Sequence, residues 1–138
     1  MLRRLPSCSA REAETQSTLH RILHGGQTHG NVTTTTTVSS GGAASYAVDF
    51  SSNNLQTLVL DSSLTDLTLT TSNLAAGRTV KLYIDTSLGP FLSSVTAPSW
   101  KWFTDDLTAS APSGDVIVEL TSWTDADAAV TASVVAAA

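Results

Sequence analysis

The sequence predicts a mainly β protein, an antiparallel β-sandwich or jelly roll of seven to eight strands, with a short N-terminal helix and an extended arm. Three observations carry this. Apolar residues recur at every second position over most of the chain from Tyr46 onward. Clusters of Ser, Asn, Asp, Gly and Pro interrupt these runs at short intervals. No second helical pattern follows the N-terminal one.

The strands follow in order. "SYAVDF" alternates Tyr46, Val48 and Phe50, and "LQTLVLD" ends on Leu58 and Leu60. "TDLTLTT" puts Leu67 and Leu69 on one face, and "TVKLYID" turns Val80, Leu82 and Ile84 inward with Lys81, Tyr83 and Asp85 outward. "DVIVELT" supplies Val116, Val118 and Leu120, and "AVTASVV" supplies Val130, Ala132 and Val134. Turn clusters separate them at 51–54, 61–63, 73–77, 89–90, 111–114 and 124–127.

The chain before Tyr46 divides in two. Residues 1–30 read as a basic helical arm. Ser9 and Glu12 form a capping box, Leu19, Ile22 and Leu23 form an apolar stripe, and Gly25 with Gly26 ends the helix predicted over 9–25. Residues 31–45 read as an extended Thr/Gly/Ser-rich connector. Its Thr run, including Thr33, Thr35 and Thr37, favours an extended chain but is polar on both sides. That suits an arm laid across a neighbour or an edge strand. Residues 46–138 read as the β body.

Charge is unevenly placed. The arm, 1–30, holds Arg3, Arg4, Arg11 and Arg21 against two glutamates, whereas the stretch 31–138 holds three cations against ten acids. A basic arm on an acidic body points to an acidic protein surface as partner, and four arginines mixed with two glutamates make a poor nucleic-acid footprint. Only 14% of residues are charged, against about 25% in ordinary domains. Such a surface suits burial against copies of itself. The N-terminus has the charge of a signal peptide but not its apolar stretch, and no run approaches the roughly 18 apolar residues of a membrane span. Synthesis in the cytoplasm without secretion by that route, and no membrane partner, are the expectations.

Catalytic and metal motifs are sparse. G-x-S-x-G, H-E-x-x-H and Gly-rich phosphate loops do not occur. The histidines, His20, His24 and His29, all lie in the arm, away from the acids of the body. His20 and His24 would share a helix face, but no further ligand is fixed nearby. Asp105 with Asp106, and Asp125 with Asp127, fit turn positions better than a calcium loop. No enzyme activity, metal or cofactor is expected. The single Cys8 forms no internal disulfide.

Trp100 and Trp102 flank Lys101 in "APSWKWFTDD", and Trp123 stands in "LTSWTDAD". Exposed, these rings would stack on sugars; buried, they would close one end of the body. Burial, in the core or at a subunit contact, is the reading taken.

Over residues 44–137 the chain resembles a β module of bacteriophage virion proteins, found at the C-termini of tail fibres and other appendages. The residues that carry the likeness are the alternating strand at 67–71, "NLAAGR" at 73–78, "PSWKW" at 98–102 and "LTSW" at 120–123. The resemblance implies packing roles for Gly77, Trp100, Trp102 and Trp123, and a homotrimeric, non-enzymatic virion protein. Only the arm and connector precede the module, where a tail fibre would carry a long shaft. The expectation is therefore a capsid decoration (cement) protein. It would trimerise through its β body and be anchored on the major capsid protein or other virion proteins by Arg3, Arg4, Arg11, Leu19, Arg21, Ile22, Leu23, Thr33, Thr35 and Thr37. The alternative is a short tail fibre, fibre tip or tail adaptor that reads a host glycan through exposed aromatics such as Tyr83 or Trp123.

Overall fold

The computed structural model describes residues 27–138. The arm helix predicted over 9–25, with Arg3, Arg4, Arg11, Leu19, Arg21, Ile22 and Leu23, lies outside the described residues.

Among the described residues, nine strands form two sheets: β1 (Thr28–Thr35), β2 (Ala43–Asp49), β3 (Asn53–Val59), β4 (Asp66–Ser72), β5 (Arg78–Asp85), β6 (Ser94–Thr96), β7 (Lys101–Trp102), β8 (Val116–Ser122) and β9 (Val130–Ala137). A 3-10 turn, Asp127–Ala129, precedes β9. The larger sheet runs β1-β3-β5-β8-β9-β7, and the smaller runs β2-β4-β6.

Successive strands from β1 to β6 alternate between the sheets. The chain therefore winds as a coil of three turns, with β1, β3 and β5 parallel on one side and β2, β4 and β6 parallel on the other. Each turn takes a similar length of chain: Asn31 pairs with Leu55, and Leu55 in its turn with Lys81. Among the described strands, β5–β8 and β8–β9 are the antiparallel pairs. This corrects the antiparallel pairing expected from sequence, and the nine described strands exceed the seven to eight expected. The reason is physical. A strand alternates in and out whichever way its neighbour runs, and a short connection reads as a hairpin loop. Here those connections arch from one sheet to the other, and the strand in the opposite sheet supplies the long crossover that parallel pairing needs.

The inward faces share one core. Val48, Phe50, Leu58, Leu60, Leu64, Leu67, Leu69, Val80, Leu82, Ile84, Val118 and Leu120 are all buried. Strand β8 alternates buried and half-buried along its whole length, as its sequence predicts. Phe50, Leu60 and Leu64 stand in the arches, so the corners of the coil are apolar as well as its sides. Stretch 31–45, read from sequence as a connector, supplies most of β1 and the start of β2. The Thr run is an edge strand, paired on one side with β3.

The β2–β3 arch is held by a buried amide. Gln56 is 1% exposed. Its Nε2 donates to the carbonyls of Asp49 (2.9 Å) and Asn53 (3.0 Å), and its Oε1 accepts from the Tyr46 hydroxyl at 2.6 Å. The hydrogen bonds satisfy a group that would otherwise be costly to bury. Burial pushes the Tyr46 hydroxyl above its ordinary pKa; the side chain of Thr34 opposes this shift and Asp49 adds to it.

Asp49 closes the other side of that arch. Partial burial raises its pKa, but hydrogen bonds outweigh this: Asn73 Nδ2 donates at 2.9 Å, and the N–H and hydroxyl of Ser51 donate at 2.9 and 2.8 Å. The net value lies below the usual carboxylate range. A lowered acid stabilises the fold above its unfolded pKa, and that contribution is lost as pH falls through the folded value. Asp61 and Asp115 are lowered in the same direction by their own hydrogen bonds. Acid unfolding followed by circular dichroism is therefore expected to be less steep in Asp49→Asn than in the parent.

Candidate interaction face

The outward side of the six-stranded sheet brings together a large set of exposed side chains on regular structure. Register places Asn31, Leu55, Lys81, Glu119 and Ser133 in one row across β1, β3, β5, β8 and β9. The next row is Thr33, Thr57, Tyr83, Ile117 and Ala136. A third row holds Thr79, Thr121, Thr131 and Lys101. Alternation puts these residues on the face opposite the core, and Leu55 remains 42% exposed.

Tyr83 is the ridge of this face. Its hydroxyl donates to Asp115 Oδ2 at 2.7 Å, and Asp115 Oδ1 accepts from the Thr86 N–H and hydroxyl at 2.7 and 2.8 Å. The bond to Tyr83 is the main cause that lowers the Asp115 carboxyl, and the same bond raises the Tyr83 hydroxyl. Anchored at its tip, the ring separates two shallow hollows. One, of about 230 Å³, is lined by Asn31, Leu55, Thr57, Lys81 and Ile117. The other, of about 210 Å³, is lined by Asp115, Val116, Ile117 and the C-terminal alanines. Lys81 and Glu119 meet across the face at 3.9 Å, both well exposed, so their pairing contributes about 0–1 kcal/mol.

The three tryptophans part company. Trp100 is 6% exposed and packs in the core, with the half-buried Trp102 ring 6.0 Å from it at 44°. Trp100 lies just before β7 and Trp102 within it; both rings turn toward the core, and Lys101 between them is exposed, as spacing by two positions requires. Trp123 is 63% exposed, and its indole Nε1 donates to Thr131 Oγ1 at 3.1 Å. Following Thr121 by two positions, it continues the outward side of β8. Phe103, 69% exposed, follows Lys101 in the same way and hangs its N–H on Ala132 O. Trp100→Ala is accordingly expected to cost about 3–5 kcal/mol of stability, and Trp123→Ala less than about 0.5 kcal/mol. Chemical denaturation of both variants checks the contrast.

Gly77 takes φ +85°, a conformation that side-chain-bearing residues resist, and donates its N–H to Ser122 O at 2.9 Å. It starts β5 against the end of β8. Thr33, Thr35 and Thr37 are exposed along β1 and beyond it. Asp106 receives the Thr108 N–H and hydroxyl in a local turn, and Asp127 accepts from the Thr71 hydroxyl. Among the described residues, no group of three or more His, Cys, Asp or Glu is placed to hold a metal ion, and no helix is long and apolar enough to cross a membrane.

A larger hollow of about 470 Å³ lies under the 105–114 loop, lined by Asp105, Asp106, small residues and the last alanines. Its lining carries no histidine, lysine or arginine. The face itself offers apolar and aromatic contact with a few hydrogen-bonding groups, which is binding chemistry. Sequence reasoning singled out Tyr83 and Trp123 but missed Leu55, Ile117 and Phe103. Their signal is the outward parity of each strand. Comparison with protein families, with curated proteins and with solved structures gives no match to this chain.

Proposed function

We propose that this chain is a non-enzymatic structural protein of a bacteriophage virion, a capsid decoration protein that associates with its own copies through the β body. One observation supports this above the others. The outer face of the six-stranded sheet exposes Leu55, Tyr83, Phe103 and Trp123 around the Lys81–Glu119 ion pair. Apolar surface of this kind, rimmed by polar groups, marks interaction sites. The resemblance of residues 44–137 to appendage modules supports the virion and the trimer. The basic residues Arg3, Arg4, Arg11 and Arg21 suit an acidic capsid surface.

The test is incorporation. Leu55→Glu adds a charge where the face is apolar, at a position exposed enough to leave folding within about 0.5 kcal/mol. Purified variant and parent are added to particles that lack the chain, and bound protein is measured after sedimentation. At least a tenfold loss of bound Leu55→Glu is expected. Equal binding would remove the face from the account.

A second reading has its own observation. Tyr83, fixed by Asp115 between two hollows, and the exposed Trp123 are the aromatic platforms on which sugar rings stack. In that reading the chain is a short tail fibre, fibre tip or adaptor that binds a host glycan. Quenching or a blue shift of Trp123 fluorescence on glycan addition, absent in Trp123→Phe, would favour it over decoration.

A further inference from the structure

We infer that β1 is a self-pairing edge, through which two copies of this chain join antiparallel about a two-fold axis at Thr35. The inference goes beyond the proposed function and does not depend on it.

The backbone sets it up. β1 pairs with β3 alone, and no strand lies on its other side among the described residues. In a parallel ladder the N–H and C=O of one residue point the same way, and those of the next point oppositely. The Thr36 N–H donates to Val59 O at 2.9 Å. Even-numbered residues from Val32 to Thr36 therefore turn their backbone groups toward β3. Asn31, Thr33 and Thr35 turn theirs to the open side.

The sequence fits a second copy of itself. Residues 32–38 read VTTTTTV, the same in both directions about Thr35. Antiparallel pairing centred there sets Thr35 against Thr35, Thr33 against Thr37 and Val32 against Val38. All the outward-turned backbone groups then meet outward-turned groups, as a hydrogen-bonded antiparallel pair requires. Faces agree too. Val32, Thr34 and Thr36 share the inner side with Gln56 and Leu58, so inner residues oppose inner residues. On the outer side Thr stands opposite Thr, a favourable cross-strand pair.

Charge selects this edge. Each copy carries a net charge of −5, but residues 30–48, nearly all of the first coil, contain no Asp, Glu, Lys or Arg. Two acidic bodies can approach there without repulsion. The edge also carries no Pro or Lys over residues 31–38, the devices by which exposed edges are commonly kept apart. A two-fold contact of one strand with itself is closed and self-complementary.

The experiment uses the full chain in two arms. In sedimentation equilibrium, Thr35→Pro removes one outward N–H and spares the β3 ladder, a position where an edge strand tolerates Pro. It is expected to halve the sedimenting mass of the parent while the circular dichroism spectrum is kept. In a Cys8→Ser background, Thr35→Cys is expected to oxidise to a covalent dimer. The paired Cα atoms would be about 5.5 Å apart, within the disulfide range of about 4.4–6.8 Å. Thr33→Cys is expected to stay unlinked, because its own copy would lie roughly 14 Å away, four positions along the strand. The Thr33→Cys, Thr37→Cys double variant is expected to link again. An unchanged mass for folded Thr35→Pro, or linking of Thr33→Cys as fast as Thr35→Cys, would overturn the inference. A parent that is monomeric up to high concentration would overturn it as well.

Discussion

Phe50→Ala is expected to lower the free energy of unfolding by about 3–5 kcal/mol, a loss as large as that expected for Trp100→Ala. Phe50 is fully buried and stands in the arch between β2 and β3, where the chain leaves one sheet for the other. Its N–H donates to Ser72 O at 3.0 Å, which ties this arch to the end of β4. Removing the ring opens a cavity between two turns of the coil, and the tied backbone limits how far the site can collapse. Equilibrium unfolding in urea measures the loss. Phe91→Ala is the control: at 82% exposure, that ring should contribute less than about 0.5 kcal/mol. Equal losses in the two variants would mean that the arch is not packed as described.

Gln56→Glu is the second large effect, and it depends on pH. The Nε2 of Gln56 gives hydrogens to two carbonyls, those of Asp49 and Asn53. A carboxylate there would face both with no hydrogen to give, in a site 1% exposed. The expected cost at neutral pH is about 3 kcal/mol or more. Burial and the facing carbonyls would raise the pKa of the new acid in the folded state. A raised acid is least harmful below its unfolded pKa, and its penalty grows as pH rises through the folded value. The gap between Gln56→Glu and the parent should therefore narrow as pH falls toward the carboxylate range. Denaturant midpoints at several pH values measure this, and a gap independent of pH would show that Gln56 does not face those carbonyls.

The inside and outside of each strand are legible in the sequence. Val80, Leu82 and Ile84 on β5, and Val116, Val118 and Leu120 on β8, are buried as their alternation requires. Strand order is not legible there. The arches at 50–52 and 73–77 have the length and the residues of hairpin turns, and only inward corner residues such as Phe50 set them apart. The edge-strand reading of the Thr run matches β1, whose outward row needs no apolar residue. Gln56 has the inward parity of Leu58 and Leu60, but alternation alone does not show what its amide bonds to. Only the curl of the arch brings two carbonyls and Tyr46 to it. The face around Tyr83 is half legible: Tyr83 and Trp123 stand out as aromatics, whereas Leu55 and Ile117 are marked only by the outward parity of their strands.

The proposed role of this β body, a building block of a virion shell, stands or falls with its position on the particle. An electron cryomicroscopy map of particles assembled with this chain would locate the coil of β1 to β6. The expected result is density for multiple copies on the capsid, at three-fold or quasi-three-fold positions, with the face around Leu55 and Tyr83 covered by a neighbour. Density confined to the tail, or that face open to solvent in every copy, would contradict it.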